Sequence, residues 1–205
     1  MAAPVRNVSS LILASASPRR RELLAAIGLE VFVVPSTYRE MDVPGMQPIE
    51  LARSHAQGKA LDVAARHPGA LTVGADTVVD LDGAALGKPR DLDHARTMLR
   101  ALSGRTHRVH TAFAVVAPPP WGWGLEPIER VSSTEVAFYS LTDGEIDEYL
   151  ASGDSMDKAG AYGIQGRGAT LVERIDGDFY TVMGFPLGMF VRTLAGYGCA
   201  LARPA

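Results

Sequence analysis

The order in which apolar runs, helical stretches and glycine stops follow one another constrains this chain most. Leu11 to Ala14 reads as a short buried strand. A helix from about Pro18 to Ile27 follows, and Gly28 closes it in the position a left-handed cap prefers. Val31 to Val34 is a second strand, and about Pro48 to Arg66 a second helix with Leu51, Ala56, Ala60 and Val63 loosely periodic. Leu71 to Leu81 is a strand ending at Asp82-Gly83, a strong hairpin turn. A third helix runs from about Asp91 to Leu102, with Ala95, Met98, Leu99 and Leu102 on one face and Gly104 as its stop. Beyond it, Thr106 to Val116 is a strand, Pro118 to Gly124 an exposed excursion, and Thr134 to Ser140 another strand. Thr142 and Glu145 have capping-box spacing for a helix ending at Gly153. A glycine-rich loop from Gly160 to Gly168 leads into a hairpin turning at Asp176-Gly177, and a last helix begins near Pro186. Early alternation followed by hairpins predicts an α/β fold with a mixed sheet and a cleft between two lobes.

Composition narrows the function classes. The 205 residues are 47% hydrophobic and 21% charged, enough to bury a core without staples. A net charge of −3 argues against a general nucleic-acid coat protein, so no nucleic-acid partner is expected. The single cysteine, Cys199, excludes an internal disulfide framework and fits a reducing compartment. No apolar run approaches a membrane span, and Leu11-Ile12-Leu13 is too short for a good signal peptide. The expectation is a cytoplasmic protein without a membrane partner.

Two places carry unusual chemistry. Ser15-Ala16-Ser17-Pro18-Arg19-Arg20-Arg21 joins a strand to a helix, with Ser17 suited to the N-cap and Pro18 to the first turn. Arginines in a first turn oppose the helix dipole, and an anion would compensate them. The alternative is a basic surface turn paired with acids such as Glu22. The second place is Asp76, set among the strand formers of Val73 to Val79; it is either a metal ligand or general base, or an acid capping a strand end.

Other candidates are weaker. Lys88 can reach a phosphate, and Asp91 reads as an N-cap. Lys59 falls on the exposed side of its helix, and Glu40 is a loop acid. His107 and His110 have odd separation on a strand and point to opposite faces, while His55, His67 and His94 show no ligand spacing. Any metal is therefore expected to be hard and oxygen-bound, Mg²⁺ or Mn²⁺. Gln165, in the glycine loop, either reads a base edge through its amide or belongs to a plain connector.

Taken in order, these blocks resemble the Maf family of nucleotide pyrophosphatases, also described as septum-formation inhibitors. The matching blocks are Leu13 to Arg20, Gly74 to Thr77, Gly87 to Asp91, Leu102 to Gly104 and, longest, Asp157 to Gly166. The resemblance runs from about Leu11 to Leu194 and implies one domain over residues 1–205, an elongated α/β fold with a cleft between two lobes. It implies hydrolysis of nucleoside triphosphates between the α and β phosphorus atoms with a divalent metal, and it leaves a homodimer open. Asp76 falls where the family has its catalytic acid, described as a proton acceptor. Ser15, Arg19, Arg20, Glu40, Lys59, Lys88, Asp157 and Gln165 fall on positions resembling the substrate or metal pocket, with Glu40 and Asp76 on the metal side. Arg19, Thr77 and Gln165 match the set marking the branch that acts on dTTP and UTP. The alternatives are the branch acting on 7-methyl-GTP and a nucleotide-binding regulator of division without turnover. Two features depart from the family: the Pro118 to Gly124 excursion, and Arg39 before Glu40 where an acid is common.

Overall fold

The computed structural model describes residues 5–41, 45–119, 121 and 123–202; the first four residues, and Pro120 and Gly122 of the excursion, lie outside the described residues. The elements run β1 (Arg6–Val8), β2 (Ser10–Leu13), α1 (Pro18–Ala26), β3 (Glu30–Val33), α2 (Pro48–Ala64), β4 (Thr72–Leu81), β5 (Ala84–Leu86), α3 (Leu92–Leu102), β6 (Thr106–Ala117) and β7 (Gly124–Phe138). Then come α4 (Asp143–Ala151), two 3-10 turns (Ala159–Ala161 and Gly166–Thr170), β8 (Val172–Asp176), α5 (Phe179–Met183), α6 (Leu187–Gly196) and β9 (Cys199–Leu201). The main sheet has the order β3-β2-β4-β6-β7-β8, with β5 paired to β4. β2 is parallel to β3 and β4, whereas β4, β6, β7 and β8 are successively antiparallel, so the sheet is mixed as expected. The 12 residues of β6 span about 40 Å at the usual strand rise. Among the described residues, no helix is long and apolar enough to cross a membrane.

The two-lobed character has a specific cause in the side-chain alternation of the central strands. On one face of β4, Val73 and Ala75 join a core with Phe113, Phe185, Phe190 and Leu194, while Val79 and Leu81 join another with Leu99, Leu102, Ile146 and Tyr149. Between them lies Thr77, opposite Thr111 of β6, which is opposite Ser132 of β7. This polar row divides two apolar cores on the same face of the sheet. Its hydroxyls are satisfied: Thr77 and Thr111 share a hydrogen bond of 2.9 Å, Thr111 donates to the Thr181 carbonyl at 2.7 Å, and Thr181 donates to Ser132 at 2.7 Å. Thr111 is fully buried between half-buried Thr77 and Ser132, so its hydroxyl must be paired, and α5 supplies the partner.

The other face of β4 carries α2. Ala56 and Ala60 pack against Val78, Ala112 and Ala114. The approach is close: a Cβ added at Gly74 would lie 2.3 Å from the Ala56 carbonyl oxygen and 2.5 Å from the Ala60 nitrogen. What Gly74 admits is the α2 backbone. Gly74→Ala is expected to destabilise the protein by about 3 kcal/mol, because backbone cannot yield as a side chain can. A lower urea midpoint would show this; an unchanged midpoint would mean α2 shifts at no cost.

Several boundaries differ from the sequence reading. β7 begins at Gly124, ten residues before Thr134, because Glu126, Glu129 and Arg130 interrupt its apolar pattern. After Asp176-Gly177 the chain does not return as a strand: β8 pairs backwards with β7, and Asp178 caps α5 through Thr181 N–H at 2.7 Å. Trp121 and Trp123 are not exposed but half-buried against the α1–α6 core, with Trp123 on Tyr197 at 5.0 Å. The three-residue β1 and β9, which pair in parallel, carry too little pattern to be read alone.

Candidate active site

The site forms where β2 ends and β4 continues. β2 pairs with β4 only as far as Leu13 opposite Val73, with Ala14 N–H donating to the Val73 carbonyl at 2.8 Å. The chain then turns through Ser15 into α1, which starts at Pro18 without an acidic residue in its first turn and without a side-chain cap from Ser17. The free N–H groups and partial positive charge of that helix start are thus left for an anion.

Alternation puts Asp76 and Thr77 on opposite faces of β4, and each gathers its own group. On the α2 face, Asp76 Oδ1 accepts from Lys59 Nζ at 2.6 Å, and the same ammonium lies 2.6 Å from Glu40 Oε1. Lys59, expected on the exposed side of its helix, is in fact buried at 8% exposure, as is Asp76 at 7%. Glu40 is placed by a segment stitched to α2. Ser36 Oγ donates to Asp62 at 2.7 Å, Thr37 N–H donates to it at 2.8 Å, and the Tyr38 ring covers Gly58, where a Cβ would lie 2.3 Å from the ring.

His55 completes this group, although its spacing in the sequence points to no ligand set. It stands one helical turn before Lys59, so both project from the same face of α2. The signal was available once Lys59 was placed against β4. His55 Nδ1 lies 3.6 Å from Asp76 Oδ2 and 4.0 Å from Glu40 Oε2, and Nε2 is 3.3 Å from the Met41 carbonyl oxygen. Burial alone pushes the Asp76 carboxyl up. The His55 contact, Lys59 and Arg20 outweigh it and hold Asp76 below the ordinary carboxylate range. The same contact with Asp76 holds the His55 imidazole above its ordinary value, against burial.

On the other face, Arg20 is held by three neutral oxygens. Its Nε donates to the Gly184 carbonyl at 2.9 Å, and its two terminal nitrogens donate to Ser15 Oγ at 3.1 Å and Thr77 Oγ1 at 3.0 Å. Arg20 therefore anchors α1 to the polar row between the cores. Among the described residues it makes no ion pair with a carboxylate, so its charge is positioned but not neutralised.

Arg19 points elsewhere, to Asp157 at 2.8 Å, and Lys158 Nζ holds the other oxygen of Asp157 at 2.6 Å. This pairing ties α1 to the glycine segment; Glu22, the sequence-level alternative, is not the partner. The Gly160 N–H donates to the Gly87 carbonyl at 3.0 Å, which brings the Lys88 turn beside the same segment. Lys88 and Gln165 are both exposed, and Gln165 makes no capping bond to the 3-10 turn that follows it. Asp76, Lys59 and Glu40 are thus joined directly, as are Arg20, Ser15 and Thr77. Arg19 and Asp157 form a third pair, and Lys88 and Gln165 stand on the rim without side-chain partners among the described residues.

The family model described as Maf-like protein matches residues 10–197. The chain belongs to the Maf-like family. A Moorella thermoacetica relative named dTTP/UTP pyrophosphatase is 47% identical over 191 residues, covering 93% of this chain and 96% of its own. A Bacillus pumilus relative of the same name is 42% identical over 191 residues, covering 93% and 98%. The solved structure of a HAM1 protein from Coxiella burnetii gives a TM-score of 0.42 at 19% identity, covering 74% of this chain and 85% of that one. In this Maf-like chain the two remaining histidines of interest face apart, as their odd spacing requires. His110 meets Asp80 at 3.2 Å and Ser133 at 2.7 Å, whereas His107 is buried against Tyr162 OH at 2.7 Å and its burial lowers its pKa to about 4.

Proposed function

We propose that this Maf-like protein hydrolyses dTTP and UTP to the monophosphate and pyrophosphate, in the cytoplasm. The observation that carries the reading is Arg20, a fixed and unneutralised guanidinium at an uncapped helix start, joined through adjacent Thr77 to an ionised, buried Asp76. A polyanion fits the first part and an activated water the second. The names of the relatives supply the nucleotide.

The chain's residues divide the work. Arg20, the α1 N–H groups and Lys88 grip the phosphates, and Arg19 exchanges Asp157 for phosphate oxygen. Asp76 orients the attacking water in line with the α–β bridge, whose cleavage releases pyrophosphate already stabilised by cations. While Lys59 holds it, Asp76 is a weak proton acceptor. A triphosphate that draws Lys59 away raises the proton affinity of Asp76 when the water must lose a proton. Glu40, Asp76 and His55 offer donor atoms within 4.8 Å of one another, a set that fits a divalent cation. When bound there, Mg²⁺ or Mn²⁺ supplies neutralising charge and polarises phosphate oxygens.

Gln165 serves to choose the base. Its amide offers a donor and an acceptor, matching O4 and N3–H of uracil and thymine, whereas cytosine reverses both. Losing such bonds costs about 1–3 kcal/mol. Gln165→Ala is therefore expected to lower kcat/KM for dTTP and UTP about tenfold or more, and less for CTP, with an unchanged melting temperature because the side chain is exposed and unbonded. Comparing kcat/KM for the three nucleotides in both proteins tests this. An equal drop for all three would move base reading to another residue.

A further inference from the structure

Lys59 engages one oxygen of each site carboxylate, Asp76 Oδ1 and Glu40 Oε1, and leaves the other of each toward His55. The imidazole is 4% exposed, and its orientation is set from behind. The Met41 carbonyl beside Nε2 can only accept, so the neutral ring carries its hydrogen on Nε2. Nδ1 then presents a bare lone pair to Asp76 Oδ2 at 3.6 Å and to Glu40 Oε2 at 4.0 Å. Asp76 Oδ2, Glu40 Oε2 and His55 Nδ1 thus face one another beside Lys59, with Asp76 and His55 buried and Glu40 exposed, and a positive charge among them, a proton on Nδ1 or a bound cation, turns their repulsion into attraction. A backbone carbonyl on the far nitrogen is also the partner that orients a metal-bound imidazole. Neighbouring donors on an octahedral ion stand about 3 Å apart, so a small rotation of each side chain closes the set. Lys59 need not leave, because it uses the opposite oxygens.

We infer that His55 Nδ1 is a protein ligand of the divalent ion, with Asp76 Oδ2 and Glu40 Oε2. This rests on the site being the cation-assisted hydrolase centre described above. The sequence leads one to expect a purely oxygen-bound hard ion. A nitrogen ligand shifts the preference toward first-row transition ions over Mg²⁺, since imidazole suits those ions.

The test uses Mn²⁺ alone as the probe on the full chain, read by pulsed electron paramagnetic resonance. The wild type is expected to bind one ion and to show nitrogen modulation from a directly bound imidazole. His55→Gln, confirmed as folded by its melting transition, is expected to lose that modulation and to bind Mn²⁺ about tenfold or more weakly. Mg²⁺ affinity, measured by competition, should fall much less. Mn²⁺ binding without nitrogen modulation in the wild type overturns the assignment and needs no variant. So does an absence of Mn²⁺ binding, or an equal weakening of both ions in His55→Gln. Turnover of dTTP by the wild type in Mg²⁺ separates the two readings. Turnover with no nitrogen signal removes only His55, and a nitrogen signal with no turnover of any nucleotide removes the activity and leaves the metal site.

Discussion

Asp76→Asn is expected to lower kcat for dTTP by about a thousandfold, in the range that loss of a positioned acid–base group produces. Asparagine keeps the size of the side chain and an oxygen for Lys59 Nζ, now at 2.6 Å from Oδ1. It loses the charge that pairs with Lys59 and that orients water. Because the carboxylate is buried between Lys59 and His55, the substitution also costs about 2 kcal/mol of stability, roughly 4–8 °C in melting temperature. Glu40 remains on Lys59 and limits that loss. The fold therefore survives at assay temperature, and KM should change far less than kcat. Steady-state kinetics with a melting curve on the same preparation checks both parts. Near wild-type turnover in a folded variant would remove Asp76 from the chemistry.

Arg20→Ala is expected to lower kcat/KM for dTTP by about 10²–10³-fold, the usual consequence of deleting one preorganised charged donor. Its direct stability cost is smaller, about 1–2 kcal/mol, since Thr77 keeps Thr111 and Ser15 Oγ keeps the Ser17 N–H at 3.3 Å. Arg21 provides the control. It shares the helix turn but is exposed, so Arg21→Ala should change stability by no more than about 0.5 kcal/mol and leave kcat/KM near wild type. Arg20→Lys should recover little, because one ammonium cannot span the Gly184 carbonyl, Ser15 and Thr77. Equal losses in the Arg20 and Arg21 variants would mean that general surface charge, not a positioned fork, draws the nucleotide.

Local chemistry made part of this site legible before any fold was known. Pro18 and Gly28 bracket α1, the basic first turn singles out Arg19 and Arg20, and an acid among strand formers singles out Asp76. What stayed hidden depends on which surfaces meet. α2 is only weakly amphipathic, because alanines face the sheet where larger apolar residues would mark an inner face. Lys59 therefore reads as solvated and His55 shows no ligand spacing, yet both lie against β4 because Gly74 lets the helix approach. The polar row from Thr77 through Thr111 to Ser132 exists only in the register of three strands, and no window of sequence contains it. Asp157 is likewise joined to Arg19 across 138 positions. Parity, by contrast, needs no tertiary knowledge, and the odd separation of His107 and His110 sends them to opposite faces.

In the proposed reaction water attacks the α phosphorus of a pyrimidine nucleoside triphosphate. Hydrolysis of dTTP in ¹⁸O-labelled water, with the products resolved by mass spectrometry, tests it most directly. The proposed reaction gives dTMP and pyrophosphate, with the label in dTMP alone. Label in the released pyrophosphate, products of dTDP and phosphate, or tight binding of dTTP with no product at all would each contradict it.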